Sequence, residues 1–170
     1  MPPLREQKLE KGTWLTGGTL SYINQNIKSV NNSNYSSTQG IFIGIVNVAN
    51  MISSNLALGA NITYLTTTAS STSAAVLGPS ARIYFTNQKP SKVFFLGDVG
   101  FNTRGGDARY NLGLGLANFV SDNVSIDITG TYGNSFSSPF STNNVLNSDF
   151  SYSVIALQVG LQVYLPKRKK

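Results

Sequence analysis

Few ionisable residues fall inside the strand-like stretches of this chain, and Arg82, Asp98 and Asp127 are the central ones. All three share the polar parity of the stretches that carry them. Charges of both signs placed this way could gate an ion or proton path. They could instead pair with one another, because a buried charge without a partner costs several kcal/mol. Arg82 and Asp98 flank the tight segment 86–91 and are expected to lie near each other. Pairing is the ordinary reading, since no catalytic partner stands beside them. The chain has no His and no Cys. That removes Ser-His and Cys-His nucleophiles, thiolate metal sites, disulfides and the commonest metal ligand. No catalytic residue, metal centre or cofactor is expected.

The remaining motifs are weak. Gly97-Asp98-Val99-Gly100 and Arg104-Gly105-Gly106-Asp107 lack a Walker pattern and a following helix, so they read as strand glycines and a turn. The acidic residues are too scattered for a calcium loop. Asn-x-Ser/Thr triplets at Asn31, Asn34, Asn61 and Asn123 match a glycosylation pattern with little specificity.

The elements that must position these residues are strands. Of 170 residues, only 12% are charged, against about 25% in an ordinary soluble domain. Gly, Ser, Thr, Asn and β-branched residues dominate, and no stretch reads as helical. Eight strands are predicted, at 12–24, 38–48, 54–66, 74–86, 92–103, 108–119, 123–134 and 151–165. These lengths suit membrane strands, which need about 9–11 tilted residues. Long polar connections at 25–37 and 135–150 alternate with tight ones such as Thr86-Asn87-Gln88-Lys89-Pro90-Ser91 and Val120-Ser121-Asp122-Asn123. Short turns on one side and longer loops on the other are the pattern of an up-and-down membrane barrel.

A period of two assigns the faces. Leu56, Leu58, Ala60, Ile62 and Tyr64 oppose Ala57, Gly59, Asn61 and Thr63. Tyr110, Leu112, Leu114 and Leu116 oppose Asn111, Gly113, Gly115 and Ala117. Val124, Ile126, Ile128 and Tyr132 oppose Ser125, Asp127, Thr129 and Thr131. The last strand alternates likewise from Ile155 to Leu165. Ile41-Phe42-Ile43-Gly44-Ile45-Val46 is apolar on both faces and cannot be oriented by period. Alternation alone leaves two arrangements open. A lipocalin-like soluble barrel puts the apolar face inward, and a membrane barrel inverts it. A water-facing surface carries about 25–35% charged residues, whereas the polar face here is Gly, Ser, Thr, Asn and Gln. The inverted arrangement is favoured, since small uncharged residues suit a narrow, filled interior.

Aromatic placement points the same way. Tyr22, Tyr64, Phe101, Tyr110 and Tyr132 have apolar parity at the strand ends nearest the longer loops, and Trp14 and Phe85 have it at the opposite ends. Two aromatic rings bounding an apolar band are expected at membrane interfaces, although β-propensity alone also enriches these residues in strands. The net charge of +6 resides partly in the tail Lys167, Arg168, Lys169 and Lys170. It reads as a solvated tail more readily than as a site for lipid headgroups or nucleic acid. Asn31, Asn32, Asn34 and Tyr35 in one long loop, and Phe136, Pro139, Phe140, Asn143 and Asn144 in the other, form the candidate extracellular contact surface. Met1-Pro2-Pro3-Leu4-Arg5-Glu6 has no apolar core segment, whereas an outer-membrane chain is expected to be exported with one.

Gly12-Thr13-Trp14-Leu15-Thr16-Gly17-Gly18 resembles the opening strand of small outer-membrane barrels of Bacteroidetes-type bacteria. Ser54-Asn55-Leu56-Ala57-Leu58-Gly59 and Val120-Ser121-Asp122-Asn123-Val124-Ser125-Ile126 resemble two copies of their tight-turn signature. Leu77-Gly78-Pro79-Ser80-Ala81-Arg82-Ile83-Tyr84-Phe85 is similar to their fourth strand, inward Arg included. The resemblance covers about residues 12–165 and implies an eight-stranded barrel related to OmpA-like and opacity-type domains, often labelled porin-like. Where many such barrels stop at a terminal aromatic, this chain continues through Leu165 and Pro166 into its basic tail.

The expectation is an all-β, eight-stranded antiparallel up-and-down transmembrane β-barrel over residues 12–165. A short periplasmic segment at 1–11 precedes it and the basic tail 166–170 follows. It is expected to be a monomeric outer-membrane protein, not an enzyme, in contact with outer-membrane lipid and not with nucleic acid. A structural or surface-interaction role comes first. A narrow pore for ions or small solutes, and a soluble barrel binding a small apolar ligand, are the alternatives.

Overall fold

The computed structural model describes residues 9–28, 36–67, 73–85, 91–103, 108–135 and 152–166. Eight strands follow one another: β1 (Trp14–Lys28), β2 (Ser36–Met51), β3 (Leu56–Thr67), β4 (Ser73–Tyr84), β5 (Ser91–Asn102), β6 (Ala108–Ser121), β7 (Val124–Ser135) and β8 (Tyr152–Leu165). Each pairs antiparallel with its sequence neighbours, and β1 pairs with β8 to close the barrel. Over the rungs from Trp14–Leu165 to Leu20–Val159, closure removes the free edges that an open sheet would present. The fold is the predicted transmembrane β-barrel; connections 52–55, 85–90 and 122–123 lie at one end (the turn end), and 29–35, 68–72, 103–107 and 136–151 at the other (the loop end).

Several predicted boundaries move, with β2 and β6 running on to Met51 and Ser121 and the largest change at the first loop. Residues 25–28 and 36–37, read as part of a long loop, continue β1 and β2, with Lys28 opposite Ser36. Ser135 likewise ends β7.

Orientation is settled by where the apolar parity points. Leu112, Ile126 and Leu157 are exposed at 44%, 38% and 67%, as are Leu58, Ile62, Leu114, Leu116, Ile128, Val159 and Leu161. So continuous an apolar exterior is far beyond what a soluble monomer shows. Barrel pairing also orients β2. Tyr22 faces outward, its partner Phe42 does the same, and Ile41, Ile43 and Ile45 turn inward.

The interior has two apolar clusters. Leu15, Ala49, Met51, Ala57, Tyr84, Phe94, Ala117, Phe119 and Tyr164 fill the turn end, and Leu9 joins them from outside the barrel. Leu9 is folded back by a turn at Gly12 (φ 92), whose N–H donates to Met51 O at 2.7 Å. A left-handed residue is cheapest as glycine. Ile41, Ile43, Ile45, Leu65, Ala74 and Val76 pack together on the β2–β4 wall of the loop half, with Ile23 of β1 against them.

Candidate functional site

Inward parity brings the charged residues of four strands into one lumen. Asp127 of β7 is 1% exposed, and Arg82 of β4 reaches across to it, Nη1 to Oδ2 at 2.6 Å. The hydroxyl of Ser125 donates to the other carboxylate oxygen at 2.5 Å. Arg82 also donates to the Tyr84 hydroxyl at 3.3 Å and lies 4.1 Å from the centre of the Phe94 ring. A cation over an aromatic face is further stabilised by the ring quadrupole. The carboxylate is therefore held by a guanidinium and a hydroxyl on a floor of aromatic rings.

Asp98 has a different partner from the one expected. β4 and β5 place Ser80 opposite Asp98 and Arg82 opposite Leu96, so Arg82 and Asp98 are near but offset. Asp98 accepts from Asn111 Nδ2 at 3.0 Å and faces Arg109 Nη2 at 3.9 Å. Arg109 in turn donates to Thr63 Oγ1 across the lumen at 2.9 Å. The expected Arg82–Asp98 pair is corrected to two pairs, Arg82–Asp127 and Arg109–Asp98. The hairpin made Asp98 adjacent along the sheet, but closure of the barrel put Asp127 directly across from Arg82. Arg109 was legible by parity, two residues before Asn111. Lys92 was legible in the same way from Phe94; it is fully buried, with Nζ 5.8 Å from the Phe119 ring centre.

Between the two pairs lies a cavity of about 40 Å³, lined among others by Asn47, Asn61, Arg82, Asp98, Asn111 and Gln158. That is room for a water molecule or a few, and the lining supplies polar partners. Thr129 Oγ1 and Gln162 Nε2 are buried without a protein partner, which also favours internal water. Arg109 Nε is a further buried atom without a protein partner, whereas other polar side chains bond one another, as with Asn47 to Gln162 at 3.0 Å and Thr19 to Gln158 at 3.2 Å.

The two copies of the tight-turn signature do equivalent work. The carbonyl of Asn55 accepts from the N–H of Tyr84 at 2.7 Å, and the carbonyl of Asn123 accepts from that of Tyr164 at 2.7 Å. Each turn thus fixes a tyrosine at the C-terminal end of a neighbouring strand. The two hydroxyls meet in the lumen at 3.0 Å.

The predicted aromatic residues all lie on the outside. Tyr22, Tyr64, Phe101, Tyr132, Trp14 and Phe85 are exposed, and Tyr110 is half-buried. Phe42 belongs with them; its ring centre is 4.7 Å from that of Tyr22. It was missed because β2 could not be oriented. The candidate contact residues Asn31, Asn32, Asn34, Tyr35, Phe136, Pro139, Phe140, Asn143 and Asn144, and the tail residues Lys167, Arg168, Lys169 and Lys170, lie outside the described residues. No group of three or more metal-ligating side chains occurs among the described residues.

No protein-family profile matches the chain, nor does any curated protein sequence. Solved structures do. The chain is similar to the crystal structure of Neisserial surface protein A, with a TM-score of 0.62 and 16% identity over 89% of this chain and 96% of that one. It is also similar to a de novo designed transmembrane β-barrel, with a TM-score of 0.54 and 12% identity over 93% of this chain and 99% of that one. At these identities the likeness concerns the fold.

Proposed function

We propose that this chain is a bacterial outer-membrane barrel whose role is structural or surface-interacting, with a lumen too full for an open channel. The observation that carries this reading is the inversion of faces: an unbroken apolar exterior bounded by aromatic residues, around a lumen of paired charges and small polar groups. Such an exterior is stable against hydrocarbon and unstable in water. The likeness to two transmembrane barrels supports the membrane setting. The order of the four sequence motifs supports kinship with OmpA-like and opacity-type barrels. A chain without His or Cys supports a role other than catalysis.

Outer-membrane lipid would cover the band between Trp14 and Tyr22, and the protein would act as a monomer. The loop-end connections within 25–37 and 135–150 are where an extracellular ligand would bind. The lumen favours a closed barrel over a narrow pore, because the turn end is packed with aromatic and aliphatic side chains.

Fractionation of the native host, with gels run before and after boiling, tests the reading. The protein is expected in the outer membrane, with a faster-migrating folded band before boiling. A soluble protein without a mobility shift would overturn it. Planar-bilayer recording tests the filled lumen, and steady conductance at neutral pH would favour the pore instead.

A further inference from the structure

The barrel is not closed along its full height. β1 and β8 pair from Trp14–Leu165 to Leu20–Val159, and among the described residues their ladder ends there. Both strands continue: β1 stays on β2 up to Lys28, and β8 stays on β7 down to Tyr152. Above Leu20 and Val159 the described residues of the two strands are no longer ladder partners. One side-chain hydroxyl crosses the seam: Ser21 Oγ of β1 donates to the carbonyl of Leu157 at 2.8 Å. On the far flank of β8, Thr131 Oγ1 of β7 donates to the carbonyl of Ala156 at 3.4 Å. A carbonyl left unsatisfied at membrane depth is costly, so the Ser21 bond makes the seam tolerable without zipping it shut.

What flanks the gap is uncharged: Ser21 and Gln158 are the polar groups at its inner mouth, and its outer borders are apolar. Ile155 and Leu20, at 80% and 76%, are the most exposed large apolar residues described, and both border the seam. Next to it on the outer face, Leu20, Tyr22, Phe42, Gly44 and Tyr64 line a groove of about 370 Å³. Gly44 leaves its floor open. On the inner face, Ile23 stands beside the seam and joins the apolar wall of Ile41, Ile43 and Ile45. Groove, gap and inner wall form one uncharged path.

We infer that the β1–β8 seam is a lateral portal through which the acyl chain of an outer-leaflet lipid passes from the outer groove toward Ile23. This rests on the membrane reading above. The occupant is an acyl chain because the path carries no charge and, on that reading, opens onto hydrocarbon. The hydroxyl latch at Ser21 can part and re-form with no change in strand register.

The chain has no Cys and a single Trp, so probes can be placed cleanly. In a Trp14→Phe, Ile23→Trp background, Tyr22→Cys with Leu157→Cys spans the gap, and Leu20→Cys with Val159→Cys spans the last closed rung. The proteins are placed in vesicles of phosphatidylcholine with brominated acyl chains. The expected result is strong bromine quenching of the indole at position 23. Locking 22 to 157, by disulfide or a short bis-maleimide, should cut that quenching several-fold, and locking 20 to 159 should leave it unchanged. The 20–159 pair should also oxidise several-fold faster than the 22–157 pair. Quenching that ignores the 22–157 lock, or equal oxidation rates, would overturn the portal while a heat-modifiable band keeps the membrane reading intact. Loss of that band in the parent protein would overturn both.

Discussion

Arg82 and Asp127 meet at 2.6 Å across the lumen, from β4 to β7, although 45 residues separate them in the chain. Their contact ties opposite walls of the barrel together, where neighbouring strands are already joined by backbone ladders. Removing one partner leaves the other buried without compensation, which costs more than the pair itself contributes. Arg82→Ala is expected to lower stability by about 3–5 kcal/mol. Arg82→Met combined with Asp127→Leu should recover much of that loss. The urea midpoint of the folded gel band measures both, and a double variant as unstable as the single would contradict this account.

Asp98 belongs to the second pair, so its removal should be nearly independent of the first. Asp98→Asn keeps an acceptor for Asn111 and loses the attraction to Arg109. Its effect should add to that of Arg82→Ala within about 0.5 kcal/mol. A coupling well above that in a double-mutant cycle would restore the Arg82–Asp98 pairing that the hairpin suggested.

Depth on the outer face makes a separate prediction. Leu114 faces outward near mid-strand, and Val120 faces outward at the turn end of β6. Leu114→Arg should cost about 2–4 kcal/mol in vesicles, and Val120→Arg about 0–1. Equal costs at the two positions would show that the band is not bounded as proposed.

Two glycines facing opposite ways test the orientation from within. Gly115 faces the lumen against the Phe94 ring and the Thr129 hydroxyl, so an added Cβ has no room. Gly130 faces outward, where an added Cβ would meet only the carbonyl oxygen of Leu114 at 4.0 Å. Gly115→Val should destabilise by about 1–3 kcal/mol through overpacking. Gly130→Val should be neutral or stabilising, because a β-branched residue suits a strand. Urea titration of the two variants, side by side, decides it.

Gly12 positions Leu9. A side chain at φ 92 is strained, by about 1–2 kcal/mol for an L residue. Gly12→Ala should release the turn that returns Leu9 to the barrel end. Limited proteolysis near residue 9 should become several-fold faster, while the folded gel band persists.

The sequence by itself determined the strands and most of their faces. Runs such as Leu56 to Tyr64 and Ile155 to Leu165 alternate strictly, and a period of two is a local property of an extended chain. The scarcity of charge on the polar face even indicated that this face turned inward and not toward bulk water, because solvation of a surface is written in its composition. Local pattern could not orient Ile41-Phe42-Ile43-Gly44-Ile45-Val46, since both faces are apolar. Only pairing with β1 put Phe42 outside and the three isoleucines inside. Nor could it match Arg82 with Asp127. That contact runs across the lumen, and which residues face one another there depends on how eight strands are staggered when the sheet closes. The same stagger decided where the β1–β8 ladder stops, because the last seam must take up whatever offset the other seven leave.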